Sequence, residues 1–211
     1  MCVPLIEAGQ AVLFQGDSIT DAGRSRDNNA ELGRGYPNLI AAWFGMLHPE
    51  RRVRFLNRGI SGNRARDLKA RWQADCIDLR PDWVSILIGI NDTWRRYDRN
   101  DPTSTADYAA AYRDILVRTR DEARARLILL EPFVLPHPED RKAWREDLDP
   151  KIAAVRELAR EFNAIYVPLD GLFAAAAARR EPSFWAADGV HPSQIGHAFI
   201  ARAWLQAVGA L

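Results

Sequence analysis

The chain has 211 residues, of which 47% are hydrophobic and 27% are charged, a balance that excludes a disordered, collagenous or low-complexity protein. Lysine and arginine number 29 against 28 aspartate and glutamate residues, and the resulting net charge of +1 does not favour nucleic acid or another polyanion as a partner. The length suits one compact α/β domain over residues 1–211.

Cysteine usage and hydropathy give expectations about location. Cys2 and Cys76 are too few for a disulfide scaffold or a cysteine zinc site, and they fit a reducing compartment. Residues 1–10 lack the basic and apolar regions of a secretory signal, and no apolar run approaches the length of about 18 residues that a membrane span needs. We therefore expect a cytoplasmic protein without a membrane segment.

Short apolar runs alternate with longer amphipathic segments along the chain, which is typical of βα units wound into a parallel sheet. Strands are predicted at residues 11–15, 53–57, 83–88, 126–130 and 164–168. Helices are predicted at residues 36–47, 65–76, 107–122, 150–162, 172–180 and 194–208. Asp149 followed by Pro150 is typical of an N-cap and a first-turn proline.

Two connections are longer than a βα turn needs, at residues 21–35 and 93–105. Both follow the carboxyl ends of predicted strands, where open parallel sheets bind their ligands. They are therefore candidate substrate walls, and surface loops without a function are the alternative.

Four short blocks carry the residues on which chemistry could depend. Ser18 lies in the block GDSIT at residues 16–20, directly after the first predicted strand, where a serine could also be a simple helix N-cap. The blocks GISGN at 59–63 and GIND at 89–92 follow the second and third strands, and DGVH occupies 188–191. The carboxyl ends of parallel strands share one edge, so we expect these blocks to meet there.

The residue types in these blocks suit acyl transfer. A serine hydroxyl needs a base within hydrogen-bond reach, and that base needs a group that fixes its tautomer. His191 is the candidate base for Ser18, and Asp188 precedes it by three residues, close enough to accept the Nδ1 proton. The backbone N–H groups of Ser18 and Gly62 and the side-chain amide of Asn91 are candidate donors to an oxyanion, with ordinary turn chemistry as the alternative for the last two.

Other side chains near these blocks are weaker candidates. Trp94 and Trp185 could form walls of the same pocket, since sugar rings stack well on indoles. Arg95 and Tyr97 could donate hydrogen bonds to sugar hydroxyls, although an exposed arginine is usually only solvated. Asp17 and Asp92, the acidic residues of the first and third blocks, are interpreted as structural, and His197 as a core residue.

The residues Ser18, Gly62, Asn91, Asp188 and His191, in this order, resemble the SGNH or GDSL hydrolase family over nearly the whole chain. The runs at 16–23, 57–72, 81–97 and 188–196 look like one branch, the intracellular bacterial acetylxylan esterases. This resemblance implies a three-layer α/β/α sandwich of the flavodoxin-like type and a serine esterase without a metal or another cofactor. It also implies an acetylated xylo-oligosaccharide or related small ester as substrate, and a homo-oligomer.

Alternative functions remain open from the residues themselves. The same triad could serve a general short-chain esterase, a lysophospholipase or a thioesterase, because this fold hosts many acyl substrates. A metallophosphoesterase is a third hypothesis, because Asp17 and Asp92 could ligate a metal, but the paired histidine ligands of such an enzyme are missing from the sequence. A carbohydrate-binding protein without activity would leave the whole set of nucleophile, base and oxyanion donors unexplained.

Overall fold

The computed structural model describes residues 3–28 and 30–211, so Cys2 lies outside the described residues. Five parallel strands form one sheet in the order β2-β1-β3-β4-β5. The strands are β1 at Ala11–Gly16, β2 at Arg54–Asn57, β3 at Trp83–Leu87, β4 at Arg126–Leu130 and β5 at Ile165–Val167. The predicted five-stranded parallel sheet is therefore confirmed.

Helices cover both faces of the sheet, and the period-two alternation of the strands divides the core between them. The helices are α1 at Ser18–Asp21, α2 at Tyr36–Leu47, α3 at Ala65–Asp75, α4 at Ile90–Arg99, α5 at Thr105–Arg118, α6 at Arg145–Glu161, α7 at Leu169–Ala177, α8 at Pro182–Trp185 and α9 at Gln194–Ala207. Phe14 of β1 packs in one apolar cluster with Phe44 of α2 and Trp204 of α9. The neighbouring Leu13 packs in the other cluster, with Trp72 of α3. This is the expected three-layer α/β/α sandwich.

β1 lies inside the sheet and determines where the site residues gather. All six of its residues are buried, and it pairs with β2 on one side and with β3 on the other. Its last residue, Gly16, is in register with Leu87 at the end of β3. The chain segments that follow β1 and β3 therefore begin side by side at the carboxyl edge of the sheet.

The loop predicted at residues 93–105 is wrong in its first half, because α4 extends from Ile90 to Arg99. Gly89 has a φ of +135° immediately before this helix, a conformation that glycine adopts readily. The first turn buries Ile90 and Asn91, and an ion pair joins Arg95 to Asp98 within the exposed half. Burial of the first turn and this pair compensate for a sequence with few apolar residues.

The predicted cap at Asp149 is also wrong, because α6 begins at Arg145 and carries Pro150 in its interior. A proline there removes one helical hydrogen bond. Two ion pairs with i,i+4 spacing flank it, Arg145 with Asp149 and Asp147 with the fully buried Lys151, each at 2.5 Å. These pairs support the helix on both sides of the proline.

The short helices α1 and α8 have no predicted counterpart, and other differences are at element ends. The helix predicted at 107–122 becomes α5 followed by a π-helical turn at Thr119–Ala123, and α7 begins three residues earlier than expected. Within residues 3–28 and 30–211, no helix has the length and apolar character required to cross a membrane. Cys76, the C-cap residue of α3, is buried.

A histidine from α9 caps the first turn of α2. The backbone N–H of Tyr36 donates to Nδ1 of His197 at 3.2 Å, and no side chain of the N-cap residue Gly35 can do so. Burial lowers the pKa of His197 to about 4, with a smaller contribution from the nearby His191. His197 therefore stays neutral and keeps its accepting nitrogen at physiological pH.

This cap predicts a pH dependence of stability. The unfolded chain binds a proton at His197 near the ordinary pKa of 6.5, whereas the folded protein does so only at about 4. Between these values the unfolded state binds more protons, so His197 lowers the free energy of unfolding as the pH falls from about 6.5 to about 4, by about 3 kcal/mol at most. Above 6.5 the stabilisation is complete.

Urea unfolding of the wild type and of His197→Asn between pH 7.5 and pH 4.5 measures this contribution. Asparagine places an accepting Oδ1 near the position of Nδ1 but does not titrate, so its stability should decline less on acidification. An equal decline in both proteins would show that His197 is not the group responsible.

Candidate active site

Ser18 begins α1 directly after β1. Asp17 is the N-cap, and its Oδ1 accepts the backbone N–H of Ile19 at 3.0 Å. The short helix buries Ile19 and Thr20 and leaves Ser18 half-buried at the edge of the sheet. The strand-to-helix turn therefore presents the Ser18 hydroxyl at the protein surface.

Three side chains form a continuous hydrogen-bonded line at this edge. Oγ of Ser18 lies 2.9 Å from Nε2 of His191, and Nδ1 of His191 lies 2.7 Å from Oδ2 of Asp188. The other carboxylate oxygen of Asp188 accepts the backbone N–H groups of Val190 and His191, at 3.0 and 2.7 Å. The turn at 188–191 thus fixes the carboxylate and the imidazole relative to each other.

These contacts set the charges of the pair. Partial burial pushes the pKa of Asp188 upwards, but the hydrogen bonds from the His191 ring and from two backbone N–H groups outweigh it and hold the pKa well below its usual range. The hydrogen bond to Asp188 raises the pKa of His191 against the opposing effect of partial burial. Asp188 is therefore an anion that stabilises a proton on the imidazole.

Asn91 and Gly62, the predicted oxyanion donors, lie in α4 and in the loop between β2 and α3. Asn91 is buried in the first turn of α4, and its Nδ2 donates to the carbonyl of Asn63 at 3.2 Å while its Oδ1 accepts from Arg95 at 3.2 Å. Gly62 has a φ of +85°, and a Cβ built there would meet no protein atom within 4 Å. Backbone conformation, rather than crowding by the protein, accounts for glycine at this position.

A network of polar contacts, absent from the sequence prediction, ties the loop of Gly62 to α1. Nδ2 of Asn57 donates to the carbonyl of Thr20 at 2.7 Å, and Oδ1 of Asn57 accepts the N–H of Gly59 at 2.9 Å. Oδ2 of Asp21 accepts both the N–H and the hydroxyl of Ser61. Asn57, the last residue of β2, is fully buried and therefore needs several partners, but the sequence alone does not indicate which residues supply them.

Asp17 and Asp92 are buried beneath the site. Burial raises the pKa of each carboxyl group to about 7. Oδ2 of Asp92 accepts the N–H of Ala65 at 3.1 Å and so joins α4 to α3. The second oxygens of both groups lack a hydrogen-bond partner among the described residues. These contacts agree with the structural interpretation of both residues.

The predicted substrate-binding residues do not form one continuous surface, and only Trp94 contacts a residue of the candidate triad. The half-exposed ring of Trp94 lies 5.8 Å from the ring of His191 and so borders the candidate triad. Arg95 contacts Asn91 and Asp98. The ring of Tyr97 stacks on Trp144 at 5.3 Å and its hydroxyl donates to the carbonyl of Ala143, which turns it towards the segment before α6.

Trp185 contacts a different part of the surface. Its ring packs on Phe184 and Phe199 at 5.2 and 5.3 Å, and its Nε1 donates to the carbonyl of Arg180. It lines a cavity of about 420 Å³ between α7, α8 and α9 that none of Ser18, Asp188 and His191 lines. Trp185 therefore lines a cavity that the other candidate residues do not line.

Comparison with known proteins places the chain in a family. The model of the GDSL-like lipase/acylhydrolase family matches residues 14–199. The chain is 38% identical over 212 residues to an acetylxylan esterase from Geobacillus stearothermophilus, a match that covers 97% of this chain and 96% of the relative. The chain therefore belongs to the GDSL-like lipase/acylhydrolase family and is a carboxylic ester hydrolase.

Solved structures agree with this assignment and with the fold. An α/β hydrolase from the metagenome of Lake Arreo, Spain, superposes with a TM-score of 0.92 at 36% identity and covers 99% of both chains. A crystal structure of an acetylxylan esterase from Geobacillus stearothermophilus superposes with a TM-score of 0.88 at 37% identity over 97% of this chain and 96% of that chain. The resemblance noted from the sequence is confirmed.

The contact between Asp188 and His191 predicts the result of an NMR titration. Asp188→Asn removes the negative charge that holds the Nδ1 proton, so the pKa of His191 should fall below its wild-type value. The ¹H–¹³C signals of the four histidines are recorded separately, and that of His48, which is separated from the 188–191 turn in sequence and contacts, serves as the internal control. An unchanged pKa at His191 would mean that the hydrogen bond does not set its charge.

Proposed function

We propose that the chain is a serine esterase that removes acetyl groups from acetylated xylo-oligosaccharides or related sugars. The observation that carries the proposal is the hydrogen-bonded line from Ser18 through His191 to Asp188. Its support from comparison is the acetylxylan esterase of Geobacillus stearothermophilus, to which the chain is similar over nearly its full length.

In the first half of the proposed reaction, Oγ of Ser18 attacks the acetyl carbonyl carbon while Nε2 of His191 accepts the hydroxyl proton. Asp188 holds the Nδ1 proton and stabilises the imidazolium that forms. When the tetrahedral intermediate breaks down, the ester C–O bond to the sugar is cleaved and His191 returns the proton to the leaving sugar oxygen. Ser18 then carries the acetyl group.

Water completes the cycle by the same steps in reverse order. His191 takes a proton from water as the water oxygen attacks the acetyl carbon. On collapse the bond between that carbon and Oγ of Ser18 breaks, His191 returns the proton to Oγ, and acetic acid leaves and ionises to acetate. In both halves the negative oxygen accepts hydrogen bonds from the backbone N–H groups of Ser18 and Gly62 and from Nδ2 of Asn91. Each such donor contributes roughly 10²–10³ to the rate.

Trp94 is the candidate substrate contact that lies closest to the proposed base, His191. Its ring borders His191, and an indole face there suits a sugar ring better than a flexible acyl chain. Arg95, Tyr97 and Trp185 remain proposals as sugar contacts, and the hydrogen bond of Arg95 to Asn91 favours Arg95 among the three.

The test is acetate release from acetylated xylo-oligosaccharides beside a p-nitrophenyl ester series from acetate to laurate. Ser18→Ala should lose about 10³-fold or more of the wild-type turnover, because the nucleophile is removed, while circular dichroism shows an intact fold. Ser183→Ala in α8 is the matched control and should retain wild-type turnover.

The ester series separates the substrate classes. Ser18-dependent deacetylation of the sugar, with a steep decline beyond short acyl chains, is the expected result. Strong hydrolysis of long-chain esters with weak acetate release from the sugar would keep the triad and replace the substrate with a lipid or thioester. Turnover retained by Ser18→Ala would contradict the mechanism itself.

The proposal also includes a single domain over residues 1–211, a cytoplasmic location and a homo-oligomeric state. Exposed apolar side chains on and near α2 give a second copy a surface on which to pack: Trp43, Met46, Leu47 and Leu211. Sedimentation equilibrium should give a mass that is a multiple of the chain mass, and a monomer at micromolar concentration would contradict this part of the proposal.

A further inference from the structure

A mostly buried arginine lies behind the candidate triad and has no part in the mechanism above. Arg141 belongs to the 3₁₀ segment Glu139–Trp144 between β4 and α6, and only 13% of its side chain is exposed. Its Cζ atom lies 4.1 Å from the centroid of the Trp144 ring and 5.3 Å from that of the Trp94 ring. The guanidinium is therefore held against two indoles, an arrangement that favours a cation.

The same side chain reaches the turn that carries the base. Nε of Arg141 donates to the backbone carbonyl of Asp188 at 3.1 Å. The carboxylate partner of the guanidinium is the neighbouring Asp140, at 2.5 Å, which is largely exposed and leaves the Nε donor for Asp188. Burying most of a guanidinium is costly unless such contacts compensate, so its placement against this turn requires an explanation.

Backbone contacts from the same segment reinforce this attachment. The N–H of Leu135 donates to the carbonyl of Gly189 at 2.9 Å. Gly189 has a φ of +80°, and a Cβ there would lie 2.1 Å from the carbonyl oxygen of His137. The segment after β4 thus presses on the turn at 188–191 at two adjacent peptide groups, and Arg141 is its side-chain contact.

We propose that Arg141 is a positioning residue for the reaction, and this inference rests on the proposed function. Through its Nε hydrogen bond to the Asp188 carbonyl, it holds the 188–191 turn so that Nε2 of His191 stays within reach of the Ser18 hydroxyl. Small displacements of a base from its nucleophile reduce the rate strongly, so this support should be visible in kcat.

The charge of His191 provides a second readout. The groups that influence this charge are Asp188, which is hydrogen-bonded to His191, the buried Asp17, and His197 of α9. Arg141 contacts the Trp94 ring and pairs with Asp140. The hydrogen bond to Asp188 raises the pKa of His191. A displaced turn weakens that bond, so the pKa should fall and the acid limb of kcat/KM should move to lower pH.

Three substitutions isolate the Nε donor. Glutamine places its Nε2 at the position of the arginine Nε, whereas methionine and lysine place a methyl and a methylene group there. Arg141→Gln therefore keeps the donor without the charge, Arg141→Lys keeps the charge without that donor, and Arg141→Met keeps neither. Lys142→Met, which changes an exposed neighbouring cation, is the matched control.

Hydrolysis of p-nitrophenyl acetate by folded protein is measured from pH 5 to 9 for each variant. Arg141→Met and Arg141→Lys should lose about tenfold in kcat, the effect of one hydrogen bond, with KM little changed and the acid limb at lower pH. The kcat of Arg141→Gln should stay within about threefold of the wild-type kcat, and the kcat of Lys142→Met should equal that of the wild type.

The order of the variants decides the inference. Activity of Arg141→Lys equal to or above that of Arg141→Gln would overturn it, because charge or packing would then be responsible. If Arg141→Met does not fold, the comparison of glutamine with lysine still decides. Ser18→Ala is run in the same assay: if it retains activity the proposed function fails, whereas an inactive Ser18→Ala with equal Arg141 variants contradicts the positioning role alone.

Discussion

The hydrogen bond between Ser18 and His191 joins side chains 173 positions apart in the chain, and the rest of the site depends on it. Its two ends are carried by different layers of the fold: Ser18 by the end of the buried strand β1, and His191 by the turn before α9. The packing of α2 and α9 on one face of the sheet holds Ser18 and His191 at this distance from each other. The site is therefore a product of tertiary packing, and no local segment could form it alone.

Two buried carboxyl groups beneath the candidate site cost stability while they support the residues of the site. Two carboxyl groups, those of Asp17 and Asp92, are buried there with one oxygen each unpaired among the described residues. Such groups are costly in a protein interior, and they concentrate at functional sites where surrounding structure holds them. Here the backbone N–H groups of Ile19 and Ala65 satisfy the other oxygens and fix the first turns of α1 and α3.

Prediction from the sequence succeeded where a pattern and its cause lie in the same short segment. Apolar runs determine buried strands, so β4 was predicted with its observed ends, and three of the four polar blocks were located by their positions directly after predicted strands. It failed for α4 and for the start of α6, where buried first turns and ion pairs across Pro150 outweigh local preference. The contacts of Asn57 and Arg141 depend on residues distant in sequence, which no local pattern specifies.

The capping of α2 by His197 also has a consequence for local unfolding. The segment from 188 to 207 carries the candidate base at its beginning and the cap six residues later, in the first turn of α9, while α2 follows the nucleophile along the chain. The two halves of the site are thus fastened at a second point, the Tyr36 amide. Separation of base from nucleophile and fraying of α2 then belong to one cooperative opening, so the amide hydrogens of Tyr36 and His191 would exchange with solvent as members of the same unit.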